Sequence, residues 1–228
     1  MFRMLRMSEL SQTSQPHAPV ATHDAEASMI RATVQHGAEP PTSLGVDSRK
    51  LGMWTFIGSE TLFFAALITT YLINARINAG RPDFQNPKEY LGIVFTSMLA
   101  AILLASSLTM VLSLSALRRN RMGQFRVWLL ATAGLGLCFI GGQVIEFTRL
   151  YSEHVTLQSS MFGTSFFVLT GFHGTHVGLG VVWLLSVFAR SLRGRYSSKN
   201  DMDVEMVGLY WHFVDLVWVG IFTLIYLI

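Results

Sequence analysis

Five long apolar stretches limit how this chain can fold. Each exceeds the roughly 20 residues that an α-helix needs to cross a hydrocarbon core of about 30 Å. Their apolar residues are continuous, without the alternation of a transmembrane β-strand. We therefore predict an all-α membrane protein, a bundle of five transmembrane helices at about residues 51–74, 91–117, 127–150, 162–189 and 206–228. Only 14% of the residues are charged, against about a quarter in soluble domains, so a buried soluble core is the less favoured alternative.

The basic residues predict the orientation. Thirteen of the 17 lysines and arginines lie before the first helix or in the second and fourth loops. The positive-inside rule places these segments in the cytoplasm. We therefore expect the N-terminus inside and the C-terminus outside. The same loops account for the basic isoelectric point near 9.2, so no nucleic-acid partner is needed to explain it.

Residues 1–50 differ from the rest of the chain. They are rich in Ser, Thr, Pro, Gln, His and Ala and contain few large apolar residues. No apolar core of a secretory signal follows the early arginines. We predict a polar, mostly disordered cytoplasmic tail, followed by a transmembrane domain at residues 51–228.

Polar side chains within the apolar stretches are the candidate functional residues. A charged side chain near a helix centre costs roughly 2.5–3.5 kcal/mol on insertion scales, so such residues usually have partners. The alternative is that these side chains only hold neighbouring helices together. Seven such polar residues in one small chain favour a functional cluster. At about 1.5 Å per residue, Glu60, His173 and Asp215 lie at about the same depth, near the membrane midplane. The seven are Glu60, Gln143, Glu146, His173, His176, His212 and Asp215.

The segment GFHGTHVGLG, residues 171–180, combines histidines with glycines. His173 and His176 are three residues apart and share one helix face. A small-xxx-small spacing among the glycines predicts that another helix approaches closely. We expect Glu60 to be the helix partner and to reach one of the two histidines. The glycines are Gly171, Gly174, Gly178 and Gly180.

The spacing of the histidines leaves a metal alternative open. His176 and His212 could in principle face each other across a haem. A di-metal carboxylate site would need Glu-x-x-His pairs on two helices, which are absent from the sequence. We therefore predict no metal, no redox cofactor and no catalytic residue in this chain.

Three motifs carry a resemblance to a known family. GTSFFVLTGFHGTHVGLGVVWLL followed by EMVGLYWHFVDLVWVGIFTLIYLI is similar to the C-terminal half of subunit III of the haem–copper terminal oxidases. WTFIGSETLFF resembles that family's helix with a membrane-buried glutamate, here Glu60. GGQVIEF resembles its Gln-x-x-Glu stretch, here Gln143 and Glu146. The resemblance covers about residues 50–228, and the five helices correspond to a short form that lacks the first two of seven.

The resemblance implies an accessory role in a proton-pumping complex of the bacterial inner membrane. Subunit III would pack directly against the oxygen-reducing subunit I, with subunit II and a small subunit IV in the same complex. Haems and copper would belong to those partners, while this chain would bind phospholipid and support proton uptake. Cytochrome c is the favoured electron donor and quinol the alternative. A nitric-oxide-reductase-associated relative and a membrane haem protein are the competing functions.

A cluster of arginines at the end of the fourth helix is the candidate lipid site. Anionic headgroups lie at the cytoplasmic surface and attract basic side chains. A topology signal alone is the plain alternative. The three residues are Arg190, Arg193 and Arg195.

Overall fold

The described residues of the computed structural model are 47–78, 92–152, 161–194, 196 and 201–227. They form five helices and, among themselves, no β-strand. Each helix is long and apolar enough to cross a membrane, which confirms the predicted fold class. The helices are α1 Ser48–Asn78, α2 Ile93–Arg118, α3 Met122–Ser152, α4 Met161–Leu192 and α5 Met202–Phe222, which continues as a π-helical turn at Thr223–Leu227.

Most helices begin earlier or end later than their apolar stretches. Helices α1 to α4 contain 26 to 32 residues, or about 39–48 Å at 1.5 Å per residue. Their polar ends therefore continue past a hydrocarbon core of about 30 Å. Ser48–Lys50 form the first turn of α1, so this helix begins three residues before the predicted start at about residue 51. Residues 1–46 lie outside the described part of the chain.

A tight turn joins α2 to α3. The amide of Asn120 donates to the carbonyl of Leu117, and the amide of Arg121 donates to the carbonyl of Ala116. Asn120 has a φ of 57°, the left-handed conformation that ends many helices and that asparagine tolerates. Because the turn is short, the two helices run antiparallel and pack side by side.

Helix α5 contacts all four other helices through side chains on several sides of the helix. Trp211 lies between glycines of α3 and α4, and Trp218 packs edge-on against Phe139 of α3. The indole N–H of Trp211 donates to Ser106 Oγ of α2 at 2.9 Å. Phe213 packs near Phe64 of α1. The last helix in the sequence is therefore the centre of the bundle.

Helix α1 packs on the bundle through a single stripe. Its buried apolar side chains are Met53, Phe64 and Tyr71. Glu60 and Asn74 continue the stripe and bond to α4. Other large apolar side chains of α1, including Leu62 at 73% exposure, face outward. The contact follows a spacing of three and four residues, as in other helix pairs.

Candidate functional site: a glutamate and histidine pair between two membrane helices

Glu60 of α1 and His176 of α4 meet between their helices. His176 Nε2 lies 3.2 Å from Glu60 Oε2. Both side chains are largely buried, with 14% of the histidine and 22% of the glutamate exposed. The expected hydrogen bond from Glu60 to one of the two histidines is therefore present, and its partner is His176.

The backbone of α4 sets the protonation pattern of this pair. His176 Nδ1 lies 2.8 Å from the carbonyl oxygen of Phe172. A carbonyl only accepts hydrogen bonds, so Nδ1 must carry a proton. A hydrogen bond between Nε2 and Glu60 Oε2 then requires a proton on one of these two atoms. The proton can sit on the histidine, giving an ion pair, or on the glutamate, giving two neutral groups.

Aromatic rings enclose the pair on the bundle side. Phe64, one turn beyond Glu60, packs edge-on against the His176 ring with centroids 5.0 Å apart. The hydroxyl of Tyr210 on α5 donates to the backbone carbonyl of His176 at 3.0 Å. These rings shield one side of the pair from solvent, and a lower local dielectric strengthens electrostatic interactions.

His173 occupies a different environment from His176. It is fully buried and stacks on Trp218 with centroids 4.9 Å apart. Phe139 and Phe64 complete the enclosure. Neither ring nitrogen has a hydrogen-bond partner among the described residues. Depth counting placed Glu60 level with His173, and the hydrogen bond of Glu60 goes to His176, one turn further along α4.

A second carboxyl cluster joins α2, α3 and α5. Glu146 accepts hydrogen bonds from Thr96 at 2.7 Å, Tyr226 at 3.2 Å and the amide of Gln143 at 3.3 Å. The Gln-x-x-Glu spacing places the amide and the carboxyl on one face of α3. Three donors on one carboxyl satisfy it inside the bundle, so its evident effect is to connect these helices.

The remaining polar residues lie between α2 and α5. His212 Nδ1 and Ser107 Oγ are 2.5 Å apart. Asp215 is 95% buried, and Ser107 is the polar side chain beside it. Neither oxygen of Asp215 makes a hydrogen bond with a described residue. The predicted residues thus divide into separate groups rather than one cluster.

The glycines of α4 do not play the same part. A Cβ placed on Gly171, Gly174 or Gly178 would meet no atom within 4 Å. The prediction of close helix approach at these three was therefore wrong within the described chain. A Cβ on Gly180 would lie 2.9 Å from two ring atoms of Trp211. The close approach is made by a side chain of α5, not by α1.

Sequence reasoning missed an acidic turn at the start of α5, formed by Asp201, Asp203 and Glu205. Lys50 of α1 lies 2.9 Å from Glu205, and Arg118 of α2 lies 2.9 Å from Asp201. Acidic residues also suit the positive end of a helix dipole. One sequence signal could have found this acidic turn: basic and acidic residues stand at helix ends that are predicted to lie on the same side of the membrane.

The acidic turn changes the interpretation of the candidate lipid site. Arg190 lies 3.8 Å from Asp203, so part of its charge is neutralised within the chain. Arg193 is exposed, and Arg195 lies outside the described residues. In the parts of the chain that the structure describes, no three His, Cys, Asp or Glu side chains are grouped to hold a metal ion.

Comparison with known proteins decides the family. The sequence model of cytochrome c oxidase subunit III matches residues 29–228. The chain belongs to this family. A cytochrome c oxidase subunit 3 from Synechocystis sp. is 37% identical over 183 residues, which cover 80% of this chain and 76% of the relative.

Two further relatives cover most of their own length. The cytochrome c oxidase subunit 3 of Bacillus sp. (strain PS3) is 34% identical over 207 residues, 89% of this chain and 97% of the relative. The cytochrome bo(3) ubiquinol oxidase subunit 3 of Pseudomonas aeruginosa is 34% identical over 176 residues, 77% and 83%. With its five apolar helices, this subunit III is a multi-pass protein of the bacterial inner membrane.

Proposed function

We propose that this chain is the accessory subunit III of a proton-pumping haem–copper terminal oxidase. It packs directly against subunit I, in a complex that also contains subunit II and a small subunit IV. The oxygen chemistry takes place on haem and copper held by the partner subunits, and phospholipid is bound by the assembly. The family match over residues 29–228 supports membership of such a complex.

The contact of 3.2 Å between Glu60 Oε2 and His176 Nε2 is the observation that carries the proposed role. A single proton can move between the two side chains without breaking their hydrogen bond. Such a pair stores or passes a proton at membrane depth, where water is scarce. We propose that it supports proton uptake by subunit I over many turnovers.

Cytochrome c is the electron donor in this proposal. The matching family is described by that donor, whereas the Pseudomonas aeruginosa relative is named for ubiquinol. The composition of the purified complex checks the assignment. A subunit II with a copper-binding domain supports cytochrome c, and a subunit II without one supports quinol.

Two substitutions at Glu60 separate proton transfer from simple attachment. In Glu60→Gln, an amide N–H can still donate to His176 Nε2, but the exchangeable proton is gone. In Glu60→Leu, both the hydrogen bond and the proton are gone. We expect the Gln variant to assemble, to keep the haem spectrum and to retain most of the initial oxygen consumption. Its proton-to-electron ratio or its activity over repeated turnover should fall.

The outcomes distinguish three functions. A normally assembled Glu60→Gln complex without initial oxidase activity would contradict the accessory role. A Gln variant equal to the parent in pumping and endurance, with loss of assembly only in the Leu variant, would make Glu60 a structural contact. Sharp visible haem bands in the isolated chain would favour a membrane haem protein, and co-purification with a nitric oxide reductase would favour that assembly.

A further inference from the structure

Two crevices of the bundle bring partly exposed ionisable side chains to the outer surface of the helices. Between α1 and α4, Glu60 and His176 satisfy each other. Between α2 and α5, His212 bonds to Ser107 through Nδ1 alone. His212 is half-buried, and its Nε2 is neither bonded within the described chain nor closed off from the surface. The α2–α5 crevice is therefore the one with an unsatisfied polar group.

The depth of His212 makes lipid an unsuitable neighbour. It lies six residues after Met206, where the apolar part of α5 begins, or about 9 Å along the helix, which is within a hydrocarbon core of about 30 Å. Acyl chains offer no hydrogen-bond partner to an imidazole nitrogen. A polar side chain from another transmembrane helix does, and such contacts join helices within membranes.

The hydrogen bond between Ser107 Oγ and His212 Nδ1 allows two patterns for the imidazole ring. If Nδ1 donates to Ser107, Nε2 is an acceptor. If Ser107 donates to Nδ1, Nε2 carries the ring proton and is a donor. In both patterns Nε2 can bond to a partner from outside the described chain.

Apolar side chains flank the polar position on both helices. Leu104 and Leu108 of α2 are 51% and 61% exposed, and Leu216 of α5 is 70% exposed. With Ser107, His212 and Val219 they form the α2–α5 face. An apolar surface with one hydrogen-bonding group at its centre suits a transmembrane helix that carries a complementary polar residue.

We propose that the α2–α5 face is the surface on which this chain docks to subunit I, with a hydrogen-bonding side chain of a subunit I helix at His212 Nε2. The inference rests on the proposed function and adds to it the contact face and the chemistry of the contact. The α1–α4 crevice, whose ionisable groups satisfy each other, is left to lipid.

Photo-crosslinking in the purified complex tests the face directly. A benzoylphenylalanine replaces Leu108 in one preparation, and in a matched control it replaces Leu62, an exposed leucine of α1. We expect position 108 to give a covalent adduct with subunit I and position 62 to give none. An adduct from position 62 but not 108, or no subunit I adduct from position 108, overturns the proposal.

A pair of His212 variants tests the chemistry. We expect His212→Leu to lower at least threefold the fraction of complex that keeps this chain during detergent washes, and His212→Gln to retain it. Equal retention of both variants overturns the hydrogen bond. Should the Leu variant not accumulate, the crosslinking result still decides the face. If the unsubstituted chain purifies without a haem–copper subunit, the proposed function fails. If that subunit is present and position 108 gives no adduct, only the docking face fails.

Discussion

The most quantitative prediction concerns two glycines of α4 that look alike in the sequence. Gly178 and Gly180 both lie in the middle of α4, but only Gly180 faces the bundle. A Cβ on Gly180 would lie 2.9 Å from Cε3 and Cζ3 of Trp211 and 3.2 Å from a ring carbon of Tyr210. Carbon atoms pack best at about 3.5–4.0 Å, so the new methyl group is too close by roughly 0.6–1.1 Å.

Trp211 cannot easily move away from that methyl group. On the opposite side of the ring, a Cβ built on Gly136 of α3 would lie 2.6 Å from Cη2, so the ring already sits against that backbone. The indole N–H is also held by Ser106 Oγ at 2.9 Å. Overpacking of a well-filled core typically costs about 1–3 kcal/mol, and we expect Gly180→Ala to pay this cost.

Gly178→Ala provides the matched control. A Cβ there meets nothing within 4 Å. Both substitutions gain the same helix preference of alanine over glycine, about 0.5–1 kcal/mol. That gain cancels between the two variants. The difference in the free energy of unfolding, about 1–3 kcal/mol in favour of Gly178→Ala, therefore measures the packing cost at Gly180.

Reversible unfolding of the purified chain in mixed micelles is a suitable assay, with helix content followed as the denaturing detergent increases. Gly178→Ala should unfold later than the parent and Gly180→Ala earlier. In a Trp211→Leu background the two alanine variants should differ by less, because the ring that creates the conflict is absent. Equal stabilities of the two variants beside an intact Trp211 would refute the packing argument.

Three further predictions concern the ends of the helices and the loops between them. Glu205→Gln should weaken the attachment of α1 more than Asp203→Asn does, because Lys50 lies 2.9 Å from Glu205 whereas the ion pairs of Asp203 are 3.8 and 3.9 Å long. Disulfide trapping between cysteines at the N-terminal ends of α1 and α5 measures the attachment, and equal trapping would contradict the ranking. A cysteine replacing Phe84 should react with an impermeant thiol reagent outside intact cells and one replacing Asn120 should not, since the basic loops predict Asn120 inside; the reverse pattern would invert the topology. Neutralising the fourth-loop arginines together should lower the amount of phospholipid that co-purifies. An unchanged amount would mean that these arginines act only as a topology signal. The three residues are Arg190, Arg193 and Arg195.

The helices were predictable because a membrane imposes a length and a composition on them. The partner of Glu60 was predictable only as a pair of candidates. His173 and His176 are separated by about 4.5 Å along the helix, and an error of three residues at a helix end has the same size. Depth counting therefore could not choose between them. The choice depends on the rotation of α4, which places His173 inside and His176 at the edge facing α1.

The acidic turn of α5 was missed for a different reason. Hydropathy marks where a helix leaves the apolar region, and residues 201–205 fall before that point in the sequence. Their partners come from three other helices, so no local spacing relates them. The predicted topology alone indicates that Lys50, Arg118 and Arg190 lie at the same membrane surface as Glu205. Charge complementarity between loop ends on one side would have identified the cluster.

The glycines show how the inward face of a membrane helix can be found from spacing. Gly174 and Gly178 form a stripe four residues apart, but a stripe does not reveal which way it faces. His173 supplies a reference, because a histidine in this apolar stretch is costly to expose to lipid. Gly180 follows it by seven residues, which returns to within about 20° of the same direction on a helix. Gly178 follows it by five, about 140° away. The position of His173, rather than the small-residue motif, therefore identifies Gly180 as the glycine that packs against the bundle.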